Sequence, residues 1–453
     1  MKTINPTTEE ELADYPSISL SDIHDLIHQA NVAQKSWAEV DVSDRCNPVR
    51  QLGRLLQNHQ QELAYLMAQE MGKPLAEGQA EIEKCVMLCE HYAQHGPKYL
   101  APQEHTYPDL NARVIHQPLG VVLAIMPWNF PFWQVFRCAI PALIAGNAVL
   151  LKHAPNVLGC GERIAELMQE ANFPPSVFQH VIISVSEVQH VIEHPLVRSV
   201  SLTGSERAGR AVAEQAGRHL TPTVLELGGN DAYLLLHDAD LDAAVEAVVA
   251  SRMRNNGQSC IGAKRCVVHT DIHDEFVTRI LERLSMLKVG NPLEPDTDLG
   301  PIAREDLRAQ LHQQVLKSME QGGRCLTGGQ LPQRSGWFYP PTLLTEVVPG
   351  MPAFDEELFG PVISVVSFQT EEDGIRLANQ SMFGLGGAIF SRDVDRARLI
   401  AEQHLEAGSV AINGFVRSDP RVPFGGIKNS GYGRELGRVG MLEFVNIKTV
   451  TLG

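Results

Sequence analysis

The 453 residues are 44% hydrophobic, 20% charged and 6% aromatic, with a net charge of −16. That apolar fraction excludes an intrinsically disordered chain, and the length spans two to four domains at about 100–200 residues each. Basic residues number 38 against 54 acidic ones, which disfavours general binding to nucleic acid or anionic membranes.

The most apolar stretch, 119–151, is broken by Pro127, Asn129, Arg137, Pro141 and Asn147. It therefore contains no clean membrane span of about 20 apolar residues. The N-terminal MKTINPTTEEELADYP has no apolar core, so no secretory signal is expected. Eight sparse cysteines without a CxxC pattern fit a reducing cytoplasm better than a disulfide framework.

In chain order, periodicity predicts a helix over 22–40 with Ser21 as N-cap, a second over 44–71 ending near Gly72, and a third over 74–95. His24 and His28 stand at i, i+4. With no third ligand nearby they read as a solvated face rather than a metal pair. Cys85 and Cys89 share a helix face as packing residues. From Arg113 onward come short β-rich runs: VIHQ, GVVLAIM, NAVLLK, FQHVII, VRSVSLTG and TVLEL. Helices over 132–144, 158–171, 187–194 and 206–217 separate several of them. Beyond Gly229, helices are expected over 241–253, 273–285, 304–321, 371–379 and 394–404. Strands are expected over 266–269, 362–368, 387–390 and 408–412, with a final strand over 444–452. Such alternation argues for an α/β protein with parallel sheets.

Several short segments could carry chemistry. Cys260 ends the polar, glycine-containing loop Asn255-Asn256-Gly257-Gln258-Ser259-Cys260, a setting for an exposed nucleophile whose thiolate is favoured by backbone N–H groups. A lone cysteine is otherwise a small buried hydrophobe. Glu226 lies between apolar residues and a Gly-Gly pair. Burial there would raise its pKa and suit it to general base work, whereas a solvated or paired strand-end Glu is the plain alternative. Asn129, in Met126-Pro127-Trp128-Asn129-Phe130-Pro131, could donate to an oxyanion or simply occupy a rigid turn. Gly204 and Ser205 open a predicted helix and could receive phosphate, and Lys152 ends a strand. Helix capping and an exposed lysine are the plain readings. No zinc, EF-hand or GxSxG pattern occurs.

Taken together and in this order, PWNFP, LLK, TGSERAG, LELGGN, NNGQSC, EELFGP and PFGGIKNSGYGRE make the chain resemble the aldehyde dehydrogenase superfamily from Ile4 to Leu452. The resemblance implies a Rossmann-type dinucleotide-binding domain (1–100 and 118–228), an α/β catalytic domain (229–430) and a small β oligomerisation arm (101–117 and 431–453). It implies Cys260 as nucleophile, Glu226 as general base, and Asn129 with the Cys260 N–H as oxyanion hole. Trp128, Lys152, Gly204, Ser205, Glu357 and Phe359 would contact the cofactor. No metal is implied, and a homodimer or homotetramer is expected.

Arg137 and Arg254 match the arginines that bind the carboxylate in succinate-semialdehyde dehydrogenases, and Ser418 matches a serine of the same site. The short start and LLKHAPN particularly resemble a bacterial subgroup of these enzymes. A guanidinium on the apolar helix bearing Val135, Phe136 and Ile140 calls for an anionic partner, either a substrate carboxylate or an internal Asp or Glu. Arg417 is an additional candidate contact. Where some succinate-semialdehyde enzymes carry a second cysteine two residues after the nucleophile, this chain has Gly262, so no redox switch is expected. NAD-preferring relatives often place Glu three residues after the Lys152 position. Here Pro155 stands there, and Lys152 with His153 could receive a 2′-phosphate, so use of both NAD and NADP is expected. The alternatives are another aldehyde (glutarate semialdehyde, or a simple aliphatic or aromatic one) or a catalytically silent member of the fold. Intact Cys260, Glu226 and Asn129 argue against the last.

Overall fold

The apolar runs of the middle of the chain become strands covered on both faces. In the computed structural model, which describes residues 1–452, strands Val121–Met126 and Ala148–His153 pair in parallel, Val121 opposite Ala148 through Met126 opposite His153. Both are buried almost throughout, so neither shows the alternation of a half-exposed strand. They belong to a six-stranded sheet ordered Gly431–Tyr432, Thr223–Glu226, Val197–Thr203, Val121–Met126, Ala148–His153, Phe178–His180. Only Gly431–Tyr432 runs antiparallel to its neighbour.

A seven-stranded sheet follows the order Arg324–Thr327, Thr342–Thr345, Val362–Phe368, Arg265–His269, Ala232–Leu235, Gly386–Phe390, Ser409–Ile412. Arg324–Thr327, Thr342–Thr345 and, deep inside the sheet, Ala232–Leu235 are absent from the sequence expectations. The four apolar residues of Ala232–Leu235 carry no usable period, and parallel neighbours on both sides define that strand instead. The run VIHQ does not join the parallel sheets. It lies in Leu110–Pro118, which pairs antiparallel with Gln103–Tyr107 and with Val445–Leu452 in a separate three-stranded sheet.

The helices depart from expectation where local chemistry or packing outweighs periodicity. Helix Leu20–Glu39 is capped by Ser19, not Ser21. Ser19 Oγ accepts from the Asp22 N–H at 3.2 Å, and the Asp22 carboxylate accepts from the Ser19 N–H at 3.2 Å. The expected helix 44–71 is two helices, Val42–Asn58 and Gln60–Met71, broken at His59. Both pack on helix Leu75–Tyr99, and a break that preserves the buried stripe is invisible to periodicity. Gly72 does end the second in a left-handed conformation (φ 76°), where a Cβ would lie 2.7 Å from Pro301 Cγ. The 187–194 segment is a 3₁₀ turn, Val185–Glu187, followed by helix Val188–Ile192.

His24 and His28 are exposed, as expected of a solvated face, and a third imidazole stands near them. The His194 ring lies 5.2 Å and 5.4 Å from theirs, between centroids. Among the described residues, no group of three His, Cys, Asp or Glu is arranged to hold a metal ion. No described helix is long and apolar enough to cross a membrane. Cys85 and Cys89 are buried, and no described cysteine is paired.

Candidate active site

The carboxyl ends of the six-stranded sheet deliver most of the polar groups, as expected for an open parallel sheet. Asn129 follows strand Val121–Met126, Lys152 and His153 end Ala148–His153, Gly204 follows Val197–Thr203, and Glu226 ends Thr223–Glu226. Cys260 arrives from the other sheet, in the loop between helix Leu241–Met253 and strand Arg265–His269.

That loop is unusual. Asn255, Asn256 and Gly257 are consecutive left-handed residues, with φ of 55°, 57° and 74°. Asparagine tolerates this conformation better than most residues, and local hydrogen bonds hold it here. Asn256 Nδ2 donates to Gly72 O (2.8 Å) and Pro301 O (2.9 Å), while its Oδ1 accepts from the Gly300 N–H (2.7 Å). At Gly257 any Cβ would lie 2.1 Å from the Gly360 carbonyl carbon. The strained turn therefore seats the Cys260 loop hard against the segment preceding strand Val362–Phe368.

Two cavities meet at Cys260. The smaller, about 90 Å³, is lined by Arg137, Arg254, Arg417, Ser418, Lys84 and the thiol, among others. The larger, about 400 Å³, is lined by Trp128, Asn129, Gly204, Ser205, Glu357, Phe359 and again Cys260. Gln134 also borders both. Burial pushes the Cys260 thiol up to about 12, with Lys264 and Arg137 pulling against it. Burial thus works against the thiolate that the sequence analysis favoured. Asn129 Nδ2 donates to Gln258 O at 3.1 Å, and its Oδ1 is buried without a partner.

Glu226 lines neither cavity. Its carboxylate lies 3.9 Å from the Arg137 guanidinium, which also pairs with buried Glu435. Burial raises both carboxyls above the usual range, Glu226 well above it, and Glu435 adds repulsion on Glu226 while Arg137 opposes it. Arg137 is therefore not an unpaired guanidinium. Its internal partner is Glu435, the final residue of PFGGIKNSGYGRE.

On the larger cavity, Ser205 caps helix Glu206–Arg218, and a Cβ on Gly204 would meet nothing within 4 Å, leaving open space for a ligand. A Cβ on Gly228 would lie 2.3 Å from Glu357 Oε2, so that glycine makes room for the Glu357 carboxylate. Glu357 accepts from the Gly229 N–H at 3.1 Å and pairs with buried Lys264 at 3.2 Å. The Trp128 and Phe359 rings meet edge to face at 5.7 Å. An open helix N-terminus, an aromatic wall and an acceptor carboxylate fit a dinucleotide. Lys152 lies outside this lining, donating to His153 O at 3.1 Å. His153 is buried, with its ring held by Pro131 O and the Ala154 N–H at 3.0 Å each. Desolvation pushes it down to about 3, so it carries no charge for a phosphate, and that expectation is corrected.

A family model for the aldehyde dehydrogenase family matches residues 1–450. The chain belongs to the aldehyde dehydrogenase family. It is 44% identical over 448 residues, 99% of this chain and 97% of the relative, to the NAD(P)+ succinate semialdehyde dehydrogenase Sad of Escherichia coli. It is 43% identical over 99% of its length, and 94% of the relative, to the NADP+ succinate-semialdehyde dehydrogenase of Deinococcus radiodurans. The solved succinic semialdehyde dehydrogenase of Streptococcus pyogenes, in complex with NADP+, superposes with a TM-score of 0.97 at 34% identity, covering 99% of both chains.

Sequence reasoning missed four groups of this aldehyde dehydrogenase's site: Glu435, Lys264, Gln134 and Lys84. Glu435 and Lys264 sat inside or beside segments already singled out. Lys84 carried a readable signal, since Glu77, Glu81 and Lys84 follow helical spacing on a single face.

Proposed function

We propose that this chain oxidises succinate semialdehyde to succinate with NAD(P)+, through a covalent thioester on Cys260. The observation that carries the reading is the thiol at the junction of two cavities, one rich in cations and one suited to a dinucleotide. Curated relatives 44% and 43% identical to this chain, named for that aldehyde, support it.

Cys260 gives its proton to solvent and its thiolate sulfur adds to the aldehyde carbon, and the new oxyanion accepts from Asn129 Nδ2 and the Cys260 N–H. The bound dinucleotide supplies the hydride acceptor. Asn129 Nδ2 spends one N–H on Gln258 O and has a second for the oxyanion, and Glu226 must turn from Arg137 to take a proton from the water that hydrolyses the thioester. Trp128, Gly204, Ser205, Glu357 and Phe359 hold the cofactor, with Lys152 supporting the strand end beneath. Nothing at Pro155 repels a 2′-phosphate, which favours use of both NAD and NADP. Arg254 and Ser418 receive the substrate carboxylate. Arg137 lines the same cavity, but its charge is balanced by Glu435, so its main work is on Glu226. The 103–118 and 445–452 strands form the arm of a homodimer or homotetramer, and the unpaired cysteines suit the cytoplasm.

The test is kcat/KM for succinate semialdehyde against butanal, with each cofactor, in wild type, Arg254→Ala and Cys260→Ala. The semialdehyde should be preferred, Arg254→Ala should erase the preference, and Cys260→Ala should abolish turnover. Equal use of butanal by the wild type overturns the substrate reading, and turnover by Cys260→Ala overturns the mechanism.

A further inference from the structure

Three of the four cations lining the smaller cavity form no ion pair within 4 Å among the described residues. Its carboxylates are engaged elsewhere. Glu81 pairs with Lys73 and accepts from the Phe132 and Trp133 N–H groups at 2.9 Å each. Glu77 accepts from the Asn255 N–H at 2.5 Å. Arg137 is held by Glu435. Arg254 and Arg417 both lie over the Phe415 ring, at 6.0 Å and 4.3 Å, and neither has a carboxylate within 4 Å among the described residues. The third is Lys84, on helix Leu75–Tyr99. Its ammonium sits over the Trp133 ring at 4.0 Å and donates to Ser418 Oγ at 2.6 Å.

We propose that Lys84 is a specificity-determining group of the site, its ammonium pairing directly with the substrate carboxylate that Arg254 and Ser418 receive. This rests on the reading above of a carboxylate-bearing aldehyde. The geometry places Lys84 on the same serine hydroxyl assigned to that carboxylate, and a partly buried ammonium without an anion is costly until one arrives. An aromatic face and a single hydroxyl replace only part of its hydration. Arg254 supplies a planar fork, and Lys84 supplies a compact point charge beside it.

Protonation gives this role a signature. Burial first, then repulsion from Arg137 on helix Trp133–Ile144 and Arg254 at the end of helix Leu241–Met253, pulls Lys84 down to about 7. Glu81 and Cys85 on its own helix oppose this, and Asp419, itself paired with Arg421, faces it from the 413–426 segment. Near neutral pH the free protein therefore holds Lys84 partly uncharged. A bound carboxylate favours the charged form, so binding takes up a proton and weakens as pH rises above 7, by up to about tenfold per pH unit. A neutral aldehyde has no such linkage.

Steady-state kinetics of the full-length enzyme with saturating NADP+ test this between pH 6 and 9. Wild type, Lys84→Met, Lys84→Arg and Arg254→Ala are compared on succinate semialdehyde and butanal. Lys84→Met should lower the ratio of kcat/KM values, semialdehyde over butanal, by about ten- to a hundredfold, mainly through KM. Lys84→Arg should keep the ratio within a few-fold. The wild-type KM for the semialdehyde should climb above pH 7, and in Lys84→Arg it should stay flat, because a guanidinium does not titrate there. If Arg254→Ala erases the preference while Lys84→Met retains it, or if the wild-type pH profile persists in Lys84→Arg, the Lys84 assignment is overturned and the substrate reading stands. If the wild type shows no preference for the semialdehyde, the substrate reading fails first and takes the assignment with it. Should Lys84→Met not fold, the comparison of pH profiles between wild type and Lys84→Arg decides alone.

Discussion

Replacing Arg137 with methionine keeps much of the side-chain volume and deletes the charge. Glu435 and Glu226 are then left together in a buried site with no guanidinium between them. At the 3.9 Å separation and an effective dielectric constant of about 20, the Arg137–Glu226 attraction is about 4 kcal/mol. Its loss makes the Glu226 carboxyl about a thousandfold harder to ionise, from a starting point that burial has already raised. Stability should fall by about 3–5 kcal/mol, because one partner of a buried pair has been removed. The double variant Arg137→Met/Glu435→Gln should recover most of that, since replacing both partners by uncharged groups of similar size is nearly neutral. Denaturant titration at pH 7 measures the stabilities. In the single variant, the limb of the rate profile that rises as Glu226 ionises should move to higher pH, which turnover measured from pH 6 to 10 would reveal. A double variant as unstable as the single one would refute the electrostatic reasoning. The loss would then belong to packing of the Arg137 side chain on Phe424, whose ring lies 5.0 Å from the guanidinium carbon.

Two further outcomes follow from the nucleophile loop. Gly257→Ala places a Cβ 2.1 Å from the Gly360 carbonyl carbon at a φ of 74°, so the loop must shift. We expect kcat to fall by about a hundredfold, a typical effect of misplacing a reacting group by about 1 Å, with NADP+ binding measured by fluorescence titration retained. Near-normal turnover would show that the turn does not position Cys260. In the unliganded protein the Cys260 thiol, pushed up to about 12, should react with iodoacetamide at a rate that rises about tenfold per pH unit from 7 to 9. A plateau below pH 8 in wild type, absent from Cys260→Ala, would mean that a preformed thiolate exists.

Much of the fold was legible because its strands and helices carry strong local signals. Helices Leu241–Met253 and Glu371–Asn379 and strand Val362–Phe368 match their sequence expectations residue for residue. Other boundaries needed tertiary contacts. The break at His59 leaves the apolar stripe intact, and strand Ala232–Leu235 is too short to declare itself before Arg265–His269 and Gly386–Phe390 flank it. Ser19 displaced Ser21 as a cap because Asp22, three residues on, completes its hydrogen-bonding box.

The sequence by itself determined the chemical vocabulary of this aldehyde dehydrogenase: a cysteine behind NNGQS, a carboxylate in LELGG and an amide in PWNFP. Motif order is a one-dimensional property and needs no coordinates. Charge balance is different, because it depends on which side chains meet. The structure brings Glu435 across the chain to Arg137, Lys264 to Glu357, and Lys84 to Ser418. At those distances, away from water, each contact decides whether a charge is already paired or still available to a ligand. No spacing in the sequence encodes that, since the partners lie tens to hundreds of residues apart and only packing makes them neighbours.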